Sequence, residues 1–477
     1  MRVFRLLWLI LAPALLPADV LPYPVAPRLA VSPDFTLMAG GQSIPVRLTP
    51  AFSYASFAFR GEVEVAVRVA RPVIHPVVRP LSLGIVPVYA DGVVRFRLRR
   101  PVKLALEVDG DLRRPLFLFA DAPEESRPSK SNPAVRYFEG GKVHEAGRID
   151  LKDGQTIYLA GGAVVRGVIR AYKAQSIRIL GPGILDASQR GEEAKTIDLR
   201  HCRDVEMADF TVLGSRGWSV TTRLCDDVRL RGLKVLGWRE NDDGFDPDSC
   251  RHVRVEGCFF RTKDDCLAVK AHGSFGLGLA GAEGASDEFS TDDVVVSGST
   301  FWSSEWGHAL TVGFAVSGPA IRNIVFRDCD IIKKEKGPAM SIDNHDLGLV
   351  EKVAFEGIRV EPGCDQLAAV KVAFSEYSAD CPARFFRNNP RREKAVGAEW
   401  ESVLAEKRAT ARGQVRQVVF RDIRILGGRV PPSAIVGPEK PAIRDVAFEG
   451  ITLDGVALRT REELGLRVRN AEAVEVR

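Results

Sequence analysis

The chain has 477 residues, 45% of them apolar and 27% charged, which is enough to bury a large core and excludes wholesale disorder. Its 67 basic and 62 acidic residues leave a net charge of +5, and no basic stripe with interleaved aromatics occurs, so nucleic acid is excluded as a partner.

Residues 1–18 read as an export signal. Arg2 and Arg5 give a positive start, Leu6 to Leu16 is apolar apart from Pro13, and Ala18 offers a small residue for cleavage. The run is short for a bilayer span, and no later stretch is longer and as apolar, so the expectation is an exported protein, periplasmic or extracellular, without stable membrane insertion after cleavage. Residues 28–122 read as a small β-sandwich. Apolar and polar residues alternate from Phe57 to Val69, and further short strands follow around Phe96, at Val102 to Val108 and at Leu116 to Phe119. Residues 123–136, rich in Glu, Ser, Pro and Lys, read as a linker.

From residue 137 to the C-terminus one phrase keeps returning. It occurs as Asp227-Val228-Arg229-Leu230-Arg231-Gly232, as Asp293-Val294-Val295-Val296-Ser297-Gly298 and as Lys352-Val353-Ala354-Phe355-Glu356-Gly357. The in-phase apolar positions are Ile177, Val205, Val228, Val253, Val294, Ile324, Val353, Val418 and Val446, most of them 23 to 30 residues apart. Such a period means stacked units that cannot bury an apolar face alone. The short β runs within each unit, without a leucine-rich framework, predict a parallel β-helix with strands stacked about 4.8 Å apart. The two longer steps mark insertions at 273–290 and 376–414, and Glu399 to Lys407 reads as a short charged helix. Eight cysteines fit no zinc spacing; most sit in the repeat as candidate buried thiols, with Cys364 and Cys381 the best candidates for a disulfide.

Three segments break the repeat's pattern: Glu240 to Asp248, Lys263 to Cys266, and Trp306 to Leu310. Asp243 lies 15 residues past Val228, Asp264 11 past Val253, and His308 14 past Val294, so phase places them on one side of successive coils. Asp243, Asp264 and Asp265 would then crowd on adjacent rungs. Crowded carboxylates raise at least one pKa, which a general acid beside ionised bases requires. Taken singly, each segment is more often a turn, a solvated loop or a structural histidine; their shared phase favours chemistry. Glycoside hydrolysis needs such carboxylates, and an inverting pair is typically about 6.5–9.5 Å apart. Trp302, Trp306 and Phe314 are candidates for stacking on sugar faces, with packing under the insertion the competing reading.

At these residues the chain resembles glycoside hydrolase family 28, the polygalacturonases, whose pattern is Asn-Thr-Asp, Asp-Asp, Gly-His-Gly and Arg-Ile-Lys. Asn241-Asp242-Asp243 matches the first with Asp for Thr, Asp264-Asp265 the second, and Gly307-His308-Ala309 the third with Ala for the last Gly. The resemblance implies a right-handed parallel β-helix and an inverting hydrolase without a cofactor or metal. Asp264 would be the acid, Asp243 and Asp265 would hold and activate water, His308 would tune them, and Asn241 would shape the site. No Arg-Ile-Lys follows; the stretch reads Ala339 to Asp346 instead, which puts a pectic substrate in doubt and suits neutral hydroxyls better. Asp246, Lys270, Trp306, Asp343 and His345 are the further expected substrate contacts, with Lys270 or the basic residues at 387–394 as replacements for the absent cations. A second likeness, from Tyr137 to Gly141 and from Thr156 to Gly167, is to the related dextranase and isopullulanase family, family 49, which also carries an N-terminal β-sandwich.

The leading expectation is an exported inverting glycoside hydrolase acting on an α-linked polysaccharide or oligosaccharide. The alternatives are a polysaccharide lyase, with calcium held by Asp243, Asp264 and Asp265 and Lys263 or Lys270 as base, and a non-catalytic carbohydrate-binding β-helix.

Overall fold

The computed structural model describes residues 19–189, 195–272, 286–382, 397–409, 411–440 and 442–477. The expected export signal and the basic residues at 387–394 lie outside them. The chain divides into two compact units, the first running to Tyr23 and then over Leu29–Arg79 and Gly84–Ser126, the second comprising Pro24–Arg28, Pro80–Leu83 and Arg127–Arg477.

The first unit is the β-sandwich. Its two sheets contain six and five strands. The alternation read in the sequence is visible in Val63–Val69, where Val63, Val65, Val67 and Val69 are buried and the intervening side chains are not. Leu116–Asp121 instead forms a continuous apolar run, buried throughout as far as Ala120, because it is a central strand between two neighbours. The unit's first strand, Asp19–Pro22, lies before residue 28, where the sequence pattern starts, and pairs with Phe57 to Arg60.

The second unit is a right-handed parallel β-helix. Twelve of its strands form one long parallel sheet, and twenty form the other, continuous around the coil corners. The in-phase apolar positions stack as read. Ile177 lies over Val205, Val205 over Val228, Val228 over Val253 and Val253 over Val294. The column continues through Ile324, Val353, Val418 and Val446.

The recurring phrase has a backbone cause. The residue before each of these apolar positions turns a corner in the left-handed region, at φ between 51° and 57° for Asp204, Asp227, His252, Asp293, Asn323, Lys352, Gln417 and Asp445. Asp and Asn tolerate that conformation better than most residues, which explains their frequency there. Inside, Phe326, Phe355, Phe420 and Phe448 stack nearly flat, with ring centroids 4.7–4.9 Å apart, so the aromatic column follows the strand spacing.

All eight cysteines are free, so the expected Cys364–Cys381 disulfide is not formed. Cys202, Cys225 and Cys250 follow one another along the coil stack as buried thiols. The charged helix read within the second insertion is present as Ala398–Ala409, and Lys407 reaches Asp380 at 3.2 Å. Among the described residues no helix is long and apolar enough to cross a membrane.

Candidate active site

Register brings the three irregular segments together. The strand Phe245–Asp248 lies beside Leu267–Ala271, which lies beside Leu310–Val316, so the loops that enter these strands occupy three consecutive rungs. The ladder continues through their backbones: Gly244 donates its N–H to the Asp265 carbonyl at 2.8 Å, and Cys266 donates to that of His308 at 2.8 Å.

Asp243, Asp264 and Asp265 each place one carboxylate oxygen within 4.8 Å of the others. Asp243 and Asp265 are buried, and Asp264 is half-buried. Burial raises the Asp264 pKa to about 6, and the neighbouring Asp265 charge adds to the rise. Asp243 is raised well above the usual carboxylate range, by burial and by Asp246, Asp265 and Asp264, although Lys270 opposes the rise. Asp265 goes the other way. Burial would raise it, but the charge and hydrogen bonds of His308, with the charge of Lys270 added, together hold its carboxyl below the ordinary value.

That imidazole is fixed at close range. His308 Nδ1 lies 2.8 Å from Asp265 Oδ1, and the His308 backbone N–H donates to the same oxygen at 2.6 Å. Burial works against charge on His308, yet Asp265 and Asp343 raise its pKa. Its Nε2 faces Asp343 Oδ2 at 3.6 Å.

Gly307 shows why the loop before His308 has this sequence. At φ 59°, a Cβ there would lie 2.3 Å from the Asp265 nitrogen and 2.4 Å from Asp264 Oδ1. Only glycine allows the loop to close against both aspartates. Trp306 is tethered by its backbone N–H to the Lys263 carbonyl at 2.8 Å, while the residue is 51% exposed. Trp302 is fully buried, so it is closed to a sugar face. Phe314 is half-buried against His308 and His345, with centroids 5.6 and 4.7 Å away.

Other expected contacts lie deeper. Asp246 is fully buried, and Lys270 is 5% exposed. Lys270 donates to Asp243 Oδ2 at 2.9 Å and also bonds Asp246 Oδ1, and its ammonium lies 3.7 Å from the Trp218 ring centre. Asp243, Asp246 and Asp265 stabilise its charge against burial and raise its pKa. The direct substrate contacts expected of Asp246 and Lys270 are closed off by this pairing. Lys270 is likewise not a free cation for a uronate carboxylate. Asn241 is exposed in the left-handed region at φ 62°, at the turn that delivers Asp242 and Asp243. Asp343 and His345 are buried one coil beyond His308, with His345 Nδ1 2.6 Å from Ser375 Oγ.

The sequence pattern alone gave Asp242 no role. This buried carboxylate accepts backbone N–H groups from Lys263 at 2.7 Å, Asp264 at 3.2 Å and Arg239 at 2.8 Å. It thus clamps the loop that carries Asp264 to the preceding coil. Gly237 makes room, since a Cβ there would lie 2.1 Å from Asp242 Oδ2. The replacement of Thr by Asp in the first motif was the available signal.

The three aspartate oxygens could also face a hard cation. Calcium takes about six to eight oxygen ligands, however, and Asp243 already has the Lys270 ammonium as a partner at 2.9 Å.

The fold and site therefore define a right-handed parallel β-helix bearing three clustered aspartates and a histidine on consecutive rungs. Residues 148–363, which include all four, match the model for glycosyl hydrolases family 28. A probable polygalacturonase from Vitis vinifera is 34% identical over 77 residues, 16% of either chain. A polygalacturonase from Juniperus ashei is 27% identical over 111 residues, 19% of this chain and 22% of that one. The matched stretches thus span about a fifth or less of those relatives. Among solved structures, Dex49A from Penicillium minioluteum aligns over 95% of this chain and 96% of its own, with a TM-score of 0.64 at 12% identity. The family 28 exopolygalacturonase from Yersinia enterocolitica aligns over 91% and 98%, with a TM-score of 0.51 at 13% identity. These identities establish the fold. The resemblances to families 28 and 49 read from the sequence are both found.

Proposed function

We propose that the chain is an exported glycoside hydrolase that cleaves an α-linked polysaccharide or oligosaccharide with inversion. Asp264 gives its proton to the glycosidic oxygen as the bond to the anomeric carbon breaks. A water molecule attacks that carbon, and its proton passes to Asp265, which His308 keeps ionised. Asp243 helps hold the water, Lys270 and Asp246 fix Asp243, and Asn241 shapes the turn. Trp306 offers an exposed aromatic face to the sugar chain.

The observation that carries this reading is the division of labour between neighbours. Asp264, the half-buried carboxyl, has its pKa raised to about 6, while adjacent Asp265 is held below its ordinary value. The test is release of reducing ends from polygalacturonate, rhamnogalacturonan, dextran, pullulan and arabinogalactan, with Asp264→Asn in parallel. Activity in the native protein and its collapse in the variant support the reading; full activity in the variant removes Asp264 from the acid role.

Inversion is tested separately from the acid role, with a retaining double displacement as the alternative outcome. Proton NMR of the first-formed product decides: the anomer opposite to the substrate's means inversion, and the same anomer means a covalent intermediate. A lyase using Lys270 as base is disfavoured, because its aspartate partners stabilise the protonated ammonium.

A further inference from the structure

The coil beyond His308 carries charge and hydrogen-bonding capacity that catalysis as described does not use. Asp343 and His345 are 6% and 3% exposed. Among the described residues, neither Asp343 Oδ2 nor His345 Nε2 has a hydrogen-bond partner, and buried polar atoms rarely go without one. His345 Nε2 is 3.9 Å from Asp343 Oδ1, too far for a hydrogen bond. A hydroxyl oxygen placed about 2.8 Å from each could bridge that gap.

The surroundings suit an uncharged polyol. Burial and the positive charge of Lys371, Arg412 and His308 lower the His345 pKa to about 3, so its imidazole is neutral and can give or take one hydrogen bond. The Phe314 ring lies against both histidines and, at 5.7 Å, against Tyr377, which is exposed. An aromatic surface beside a carboxylate and a neutral imidazole provides apolar contact for a sugar ring and acceptors for its hydroxyls.

An added carboxylate would meet a crowded field. Asp265 and Asp343 flank His308 on its two nitrogens, with Asp243 and Asp264 beside them. The nearby cations already have partners. Lys270 holds Asp243 and Asp246, Lys263 reaches Glu305 at 3.0 Å, and Arg412 bonds Asp380 and the His345 carbonyl. Lys334 lies 3.1 Å from the Ser304 carbonyl and 3.3 Å from that of Trp306. Lys371 is exposed and stands in register with Asp343 on the next rung, where its charge acts on Asp343 itself.

We propose that Asp343 is the specificity-determining residue. It supplies from the protein the negative charge facing His308 Nε2, so the subsite formed with His345 and Phe314 takes an uncharged sugar and rejects a uronate. This rests on the glycoside hydrolase reading and names its substrate class. Asp343 also acts through His308 as a positioning residue. With Asp265 on the other nitrogen and Lys334 opposing, it contributes to keeping the imidazole protonated.

The test compares kcat/KM on dextran, pullulan and arabinogalactan oligosaccharides with that on oligogalacturonate, for the native protein and for Asp343→Asn and Asp343→Glu. Melting curves would accompany these assays to show that each variant folds. The native protein should prefer a neutral set by at least 100-fold. In Asp343→Asn that gap should narrow at least ten-fold, and the pKa of the His308 imidazole, followed by NMR, should fall. Asp343→Glu should restore that pKa, which a merely structural role would not do. Preferred turnover of oligogalacturonate overturns the inference and leaves the hydrolase reading intact, as does an Asp343→Asn protein with an unchanged gap and an unchanged His308 pKa. No turnover of either set, together with no retardation of Asp264→Asn protein by either polymer in affinity electrophoresis, overturns the hydrolase reading and the inference with it.

Discussion

The phenylalanine column and the aspartate cluster are products of the same geometry with opposite energetics. Both arise because a parallel β-helix places residues of equal phase one strand spacing apart. Inside the coil, Phe355 and Phe420 stack at 4.9 Å, a favourable contact in a dry environment. On the groove side, the same stacking brings Asp243, Asp264 and Asp265 within 4.8 Å, where like charges repel and desolvation penalises each. The rigid interior holds the repelling groups in place. The repulsion in turn sets the unequal proton affinities that acid–base chemistry requires.

Substitutions on either side of this comparison should behave differently, and the largest effect belongs to the groove. Asp264→Asn should lower kcat by about 10³- to 10⁴-fold in a reducing-end assay while leaving the melting temperature close to native, because it removes the acid and relieves repulsion. Gly307→Ala should lower kcat about 100-fold or more and reduce stability, since its Cβ would displace Asp264 and Asp265; activity and thermal melts of the same sample separate the two effects. Phe355→Ala should cost about 3–5 kcal/mol in denaturant unfolding, with activity per folded molecule retained. If it instead abolished turnover in the folded protein, interior and groove would be less separable than this account requires.

His308→Asn should act mainly through pH. Asp265 is held below its ordinary pKa by His308, so loss of the imidazole raises the Asp265 pKa and moves the acid limb of kcat/KM to higher pH. The native profile should fall on its alkaline side as Asp264, at about 6 in the free protein, loses its proton. Removal of His308 therefore narrows the bell, and activity at the optimum falls steeply only once the Asp265 pKa rises past that of Asp264. The smallest effect should come from a chelator. EDTA should leave turnover unchanged, because the Lys270 ammonium already occupies the place beside Asp243 that a metal ion would take; loss of activity restored by calcium would redirect the mechanism.

The solenoid was legible in the sequence because Ile177, Val205, Val228 and their successors repeat in a phase that one corner conformation imposes. The clustering of Asp243, Asp264, Asp265 and His308 followed from the same phase. What phase did not reveal was how deep each side chain lies. Asp246 and Lys270 are near enough in sequence to the cluster to suggest sugar contacts, yet on the strand face opposite the core residues Phe245 and Val269 both are buried and pair with each other. Trp302 differs from Trp306 in the same way, buried within a strand while Trp306 stands out from the loop. Asp242 was passed over because its role is to accept three backbone N–H groups from residues around it, contacts that depend on the lateral offset between coils. The cysteines were ambiguous for a simple reason: a period that stacks residues also stacks thiols, whether or not they bond.

The central claim is that Asp264 protonates the leaving oxygen while Asp265 and His308 activate water. Its most direct test is the activity of Asp264→Asn on two substrates of the same sugar, the natural glycan and a dinitrophenyl glycoside whose leaving group needs no proton. The account predicts a loss of about 10³-fold or more on the glycan and a loss of less than about ten-fold on the activated glycoside. Equal losses on both substrates would contradict it and assign Asp264 a role other than the acid.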